Sequence, residues 1–265
     1  ANYILSNYDK AAFMTACRLG QIAEVSESTV VRFAAQLGYD GYPAMQKALQ
    51  ELIRGKLTSI QRIEASGEQM SGGDIAGSVM QRDMETIRST IERMDRAEFD
   101  LAVEKLVEAK HIYLLGVRSS SFLAGYLNFY FHLIFKNVTL VQSSAAGEIF
   151  DQMLRIGPGD VLVGISFPRY SKIAVNAVHF ARDRGADVIA VTDSKMSPLY
   201  KMASASLLVS SDMISFVDSM AAPVSLLNAL IMAVGQQKSA ETSETFSELE
   251  RVWSRYGVFG YEEDE

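Results

Sequence analysis

Two short stretches hold the side chains best suited to chemistry in this chain. The first is Ser119-Ser120-Ser121, which follows an apolar run ending in Gly116. The second runs from Ser166 through Phe167, Pro168, Arg169 and Tyr170 to Ser171. Each falls where a predicted strand gives way to a predicted helix. Backbone N–H groups at a helix N-terminus lack intrahelical partners, and the helix dipole there favours an anion. Serine hydroxyls add donors without bulk, and Gly116 lets the backbone turn tightly. The pattern implies a phosphate held between the two stretches. The plainer alternative is that each serine only caps its own helix.

The elements that must position these residues can be read from apolar spacing. Val161 to Ile165 is a continuous apolar run, followed by the polar stretch to Ser171. Ala174, Ala177, Val178 and Ala181 then recur at helical spacing up to Gly185, and Val188 to Thr192 is a second apolar run. Strand, loop, one-faced helix, glycine stop and strand make a βαβ unit. Neither run alternates with polar residues, so both strands should be covered on both faces, as in a parallel sheet. In such sheets ligands sit where loops leave the carboxyl ends of the strands. His111 to Gly116 reads as another strand, followed by a long apolar helix to about Phe135. Further strands are predicted at Val138 to Gln142 and Ser206 to Val209. Five strands alternating with helices predict a doubly wound, parallel α/β domain from about Phe99 to Gln237. The apolar helix from Asp218 to Gly235 should be buried or lie at a subunit interface.

The amino-terminal segment has a different character. Ile4 to Tyr8 looks like the end of a helix that starts earlier, and Thr15 to Ala23 reads as a short helix with Ala16, Leu19 and Ala23 on one face. Ser26 is a good N-cap for a helix from Glu27 to about Leu37, stopped by Gly38. Val30, Phe33, Ala34 and Leu37 follow the i, i+3, i+4, i+7 rule and should be buried. Ser28, Thr29, Arg32 and Gln36 lie on the opposite face. A short helix, a tight turn and a second helix with a small-polar start fit a helix-turn-helix. Small hydroxyls allow close approach in the major groove, and an arginine one turn later can reach a guanine edge or a phosphate. The same spacing also suits a three-helix bundle with a polar surface.

Composition sets the outer bounds. With 265 residues, 48% hydrophobic and 22% charged, the chain can bury a substantial core. No apolar run reaches the length of a membrane span, and the first residues lack a secretion-signal pattern. The single Cys17 allows no intramolecular disulfide, fits a reducing cytoplasm and reads as a small core residue. The net charge of −7 is uneven: residues 1–57 carry six basic and five acidic side chains. A near-neutral module can still bind DNA if its cations face the phosphates and it acts as a dimer. Lys56 to Met70 is polar, Ser71-Gly72-Gly73-Asp74 is a break, and helices are predicted from Ile75 to Met94 and from Arg96 to Ala109.

Val25-Ser26-Glu27-Ser28-Thr29-Val30-Val31-Arg32-Phe33-Ala34 with Leu37-Gly38-Tyr39-Asp40-Gly41-Tyr42 resembles the helix-turn-helix of RpiR-family bacterial transcriptional regulators. Gly20 stands where that family favours alanine, and Glu24 where its turn glycine falls. Leu115 to Ser121, Gly159 to Ser166 and Ala181 to Asp193 resemble the sugar isomerase (SIS) domain that follows in such regulators. The resemblance implies four segments: a DNA-binding domain over 1–57, a connector over 58–98, a SIS-like domain over 99–238, and a final helix with an acidic tail over 239–265. It implies a phosphosugar held by Ser119, Ser120 or Ser121 with Ser166 and Ser171, and operator contacts from Ser26, Ser28, Thr29, Arg32, Gln36 and Tyr39. The second loop departs from the family's Ser-x-Ser-Gly-x-Thr: Pro168 replaces a serine, Arg169 the glycine and Ser171 the threonine. Arg169 supplies a guanidinium, a bidentate partner for phosphate.

An aldose–ketose isomerase is the rival activity and needs a base beside the carbonyl. His111 falls at the amino end of its strand, His132 reads as a packed helix residue, and His179 should face solvent. Glu148, after the second strand, is the candidate base and pocket residue. A dinucleotide-binding domain would need Gly-x-Gly-x-x-Gly after Leu115, which is absent. The expectation is therefore a cytoplasmic, DNA-binding, sugar-phosphate sensor acting as a homodimer or homotetramer, with no catalysis, cofactor or metal. Glu241 to Tyr256 should form a last helix around Phe246, Leu249 and Trp253, and Glu262 to Glu265 a solvated acidic end.

Overall fold

The computed structural model describes residues 1–53, 55–67, 73–142, 145–212 and 215–259. Two compact units divide the chain: Ala1–Met84 with Asp212–Ser219, and Glu85–Ser211 with Met220–Glu265.

The first unit holds short helices α1 (Asn2–Ser6) and α2 (Tyr8–Ala11), then α3 (Ala16–Ile22), α4 (Glu27–Gln36), α5 (Tyr42–Ile53) and α6 (Ser59–Gly67). Thr15 caps α3 by accepting from Arg18 N at 3.2 Å, and Ser26 caps α4 by accepting from Thr29 N at 3.2 Å. Ala11, Leu19, Val30, Ala34, Tyr42 and Met45 form the core between them. Helix α5 also ties off carbonyls near the end of α2: Tyr42 Oη and Gln46 Nε2 both donate to Met14 O at 2.7 Å. The predicted burial of Leu37 does not hold. Helix α4 ends at Gln36, and Gly38 turns the chain with φ +87°, which carries Leu37 off the packed face and leaves it exposed. Cys17 is likewise exposed rather than in the core, because α3 turns Leu19 and Gly20 inward.

Helix α7 (Ile75–Arg93) begins after Asp74, whose Oδ1 accepts from Gly77 N at 2.8 Å, and α8 (Arg96–Glu108) is capped by Asp95. The sheet follows: β1 (Ile112–Gly116), α9 (Ser120–Ile134), β2 (Val138–Val141), α10 (Ala146–Gln152), β3 (Val161–Ile165), α11 (Lys172–Asp183), β4 (Asp187–Thr192), a 3-10 turn at Tyr200–Met202 and β5 (Ala205–Leu208). Helices α12 (Ala221–Gln237) and α13 (Ser239–Tyr256) complete it. All strands are parallel, in the order β2-β1-β3-β4-β5. One face packs on α8, α9 and α12 around Leu106, Leu127, Phe131 and Leu230; the other packs on α10 and α11 around Ile149, Ala177 and Val178. Both faces are covered, which is why the strands read as unbroken apolar runs. This is the predicted doubly wound α/β sheet with a small all-α amino-terminal part.

Two local expectations need correction. His132 is exposed, since the buried stripe of α9 falls on Leu123, Ala124, Leu127 and Phe131, and position 132 lies one step round the helix. The stretch from Lys56, read as polar connector, contains α6 with a buried Arg62. The last helix forms over Ser239–Tyr256 as expected, with Leu249 and Trp253 half-buried and Phe246 exposed. Ser71, Gly72 and Glu262 to Glu265 lie outside the described residues.

Candidate functional site

Strands β1 and β3 are neighbours in the sheet although β2 intervenes in sequence, so the chain switches direction between them. Gly116 pairs with Ile165, which sets the carboxyl ends of the two strands level. The two serine stretches therefore leave adjacent strands at one edge, the switch point where doubly wound sheets bind ligands.

The first loop is held by backbone proximity. A Cβ at Gly116 would lie 2.1 Å from Ser120 O, so the start of α9 presses on the strand end and only glycine fits. Arg118 takes a left-handed turn with φ +58°, and its carbonyl accepts from Ser121 Oγ at 2.6 Å. Ser119 occupies the N-cap of α9 without a side-chain cap bond, and Ser120 is buried just inside the helix. Ser121 is thus engaged locally. Among the described residues, no protein group takes the hydroxyls of Ser119 and Ser120.

The second loop is pinned from β4. Ser166 is buried; its N–H donates to Val191 O at 3.1 Å and its carbonyl accepts from Thr192 Oγ1 at 2.8 Å. Thr192 Oγ1 also lies 2.8 Å from the buried Ser197 Oγ. Further along, Tyr170 Oη donates to Asp193 Oδ1 at 2.7 Å. Burial, then the Asp193 carboxylate, pushes the Tyr170 phenol well above its ordinary range, so it remains a neutral donor. Pro168 is buried and Arg169 exposed. Ser171 sits at the N-cap of α11, again with no side-chain cap bond. The capping role that would make these serines merely structural is absent at both helices. Glu148 lies exposed in the first turn of α10, beyond β2. Tyr170, Thr192, Asp193 and Ser197 were not singled out from sequence; the Thr192-Asp193 step at the end of an apolar run was the available signal.

In the first unit, the small-polar start of α4 forms a hydroxyl cluster. Ser26 Oγ lies 2.8 Å from Ser28 Oγ and 2.9 Å from Thr29 Oγ1. Arg32, one turn on, approaches Thr29 Oγ1 at 3.5 Å and is exposed. Ser26, Ser28, Gln36 and Tyr39 are exposed as well, and Thr29 is half-buried. The α3–α4 turn is tight: a Cβ on Gly20 would come 2.9 Å from Val25 O, and Glu24 takes φ +54°.

Comparison with known proteins divides the chain in the same order. Residues 1–55 match the helix-turn-helix domain of the rpiR family, and residues 105–233 match the SIS domain. The chain belongs to the RpiR family. As an RpiR-family protein it is a transcriptional regulator with an amino-terminal helix-turn-helix and a SIS domain. It is 28% identical to an uncharacterised HTH-type transcriptional regulator of Caldanaerobacter subterraneus, over 90% of this chain and 84% of that one. It is 27% identical to the regulator HexR of Pseudomonas aeruginosa, over 72% of this chain and 66% of that one. Its fold resembles the sugar isomerase domain of an RpiR transcription factor from Sphaerobacter thermophilus, with a TM-score of 0.64 and 21% identity, covering 67% of this chain and 98% of that one. Vibrio vulnificus NanR, solved in complex with ManNAc-6P, gives a TM-score of 0.64 at 22% identity, covering 98% of this chain and 92% of that one.

Proposed function

We propose that this RpiR-family regulator senses a phosphorylated sugar at the β1–β3 switch point and that occupancy alters its affinity for operator DNA. The observation that carries the reading is the pair of serine loops leaving level strand ends, with the Ser119 and Ser171 hydroxyls at N-cap positions and not used as caps. Ser120 and Ser166 are buried residues on the same two loops and Arg169 contributes an exposed guanidinium, and Ser121 and Glu148 complete the proposed set. NanR, a structural neighbour, was solved with ManNAc-6P, which makes a sugar 6-phosphate the first effector to test.

The protein acts as a sensor and not as a catalyst. His111 precedes β1 at the opposite edge of the sheet and bonds Thr139 Oγ1 at 2.8 Å, while His132 and His179 are exposed on helices. DNA is read by Arg32, Ser28, Thr29 and Gln36 on α4, with Ser26 and Tyr39 at its flanks. It works in the cytoplasm as a homodimer or homotetramer, since a two-fold operator calls for paired helix-turn-helix modules. Among the described residues no helix is long and apolar enough to cross a membrane.

Calorimetric titration with a panel of sugar phosphates, ManNAc-6P included, tests the site. The Ser120→Ala/Ser166→Ala double variant should remain folded and lose the heat of binding that wild type shows. Heats equal to wild type would remove these loops from the site. Aldose–ketose exchange detected by NMR on incubation with hexose phosphates would replace the sensor with an isomerase; none is expected.

A further inference from the structure

Helix α6 lies in a stretch whose composition suggests a plain connector, yet it is tied on two sides. Thr58 and Gln61 form a capping box at its start: Thr58 N donates to Gln61 Oε1 at 2.9 Å, and Gln61 N to Thr58 Oγ1 at 3.2 Å. Gln61 Nε2 also donates to Asp9 Oδ2 on α2 at 3.0 Å, which fastens α6 to the helix-turn-helix bundle. The next residue, Arg62, is only 6% exposed and forms an ion pair with Asp218.

Asp218 is distant in sequence. It belongs to Asp212–Ser219, a segment that continues from the carboxyl end of β5 and leads into α12. This segment belongs to the same compact unit as residues 1–84, although Ser211 and Met220 on either side belong to the other. Its neck is closed by Ser219 N donating to Asp212 O at 2.8 Å. Ser219 Oγ donates to Asp83 Oδ1 on α7 at 2.5 Å. Just before it, Ser210 N donates to Thr90 Oγ1 at 3.0 Å. The sheet is parallel, so the chain leaves β5 at the same edge as the two serine loops.

A buried ion pair seldom stabilises more than apolar residues of the same shape, because desolvating two charges offsets their attraction. Arg62 is in addition incompletely satisfied, since its Nε is buried without a partner among the described residues. Packing alone does not call for such a contact. A contact of this kind is sensitive to displacement on the Arg62 side: drawing the two groups apart leaves a buried guanidinium, already short of one partner, with still less compensation.

We propose that Arg62–Asp218 is a coupling contact through which the loop following β5 governs helix α6 and, by way of Gln61–Asp9, the DNA-binding bundle. The proposal rests on the sugar-phosphate reading only for the signal that moves the loop. Its structural core is tested by hydrogen–deuterium exchange on the full chain and by fluorescence anisotropy on a duplex recovered from a random-sequence pool by the wild-type protein. Asp218→Asn should speed exchange of the α6 amides at least tenfold, leave β1, β3 and β4 protected, and change affinity for the duplex at least fivefold. The wild-type response of that affinity to a hexose 6-phosphate should be abolished in the variant. Unchanged α6 exchange overturns the proposal, and so does a loosened α6 with unaltered affinity, the signature of a merely structural tie. Should Asp218→Asn lose protection in the sheet, Arg62→Met, which keeps the aliphatic stem, is judged by the same criteria. If wild type answers to no sugar phosphate while both sugar-independent effects persist, the sensing proposal fails and the coupling contact stands.

Discussion

In the proposed reading of the operator, Arg32 is the side chain that matters most. It is exposed on α4 and leans towards Thr29 Oγ1 at 3.5 Å, too long to hold the guanidinium firmly. It is therefore available to a base edge or a phosphate at little cost. Arg32→Ala should weaken binding to a selected duplex by about 1–3 kcal/mol if it reads a guanine, and relax preference at one base position. A uniform loss across sequences would reassign it to a phosphate, and no loss would take it out of the interface. In the proposed sugar site the decisive residue is Gly116, where the first atom of any side chain would collide with the backbone of Ser120. The close approach of strand end to helix start is what brings Ser119 and Ser120 to the sheet edge.

At the scale of elements, the tight turn between α3 and α4 shows how far spacing can be read and where it stops. The helices on either side, their Thr15 and Ser26 caps and the buried Val30 and Ala34 follow from periodicity and capping residues alone. So do the five parallel strands, because strands covered on both faces leave continuous apolar runs. Leu37 was misjudged because one residue past the end of α4 the helical rule no longer applies. Arg62 was invisible because its partner Asp218 is 156 residues away and no local pattern signals such a pair. The clamp on the second loop, from Thr192, Ser197 and Asp193, was hidden for the same reason: it forms across strands. Within the turn, Glu24 holds φ +54°, a conformation disfavoured for any residue with a Cβ. Glu24→Gly should raise stability by up to about 1 kcal/mol in urea denaturation, the relieved strain exceeding the extra backbone entropy of glycine. Gly20→Ala should act oppositely, because its Cβ would press on Val25 O at 2.9 Å. Destabilisation by Glu24→Gly would mean that the Glu24 side chain itself supports the turn.

For the whole molecule, the uneven charge bears on how DNA can be held. The net charge is −7, and residues 1–57 carry six basic against five acidic groups, so the larger part of the chain repels phosphate. A single module of this kind has few cations to set against the duplex. On the proposed paired reading, affinity comes from two modules engaged together, from helix N-termini and hydroxyls such as Ser26 and Ser28, and from specific base contacts. A surplus of lysine and arginine does not supply it. Phe122, Phe129 and Met232 on the SIS half are exposed apolar side chains. Counterion release predicts a slope of about −0.9 in log affinity against log salt for each phosphate neutralised. With so few cations per module, the slope should stay shallow, about −2 to −5 for a dimer on a two-fold site, and sedimentation should show that the bound species contains at least two chains. A slope near −10 would require many more phosphate contacts than this surface can make. A monomer on the DNA would leave the paired-module account without support.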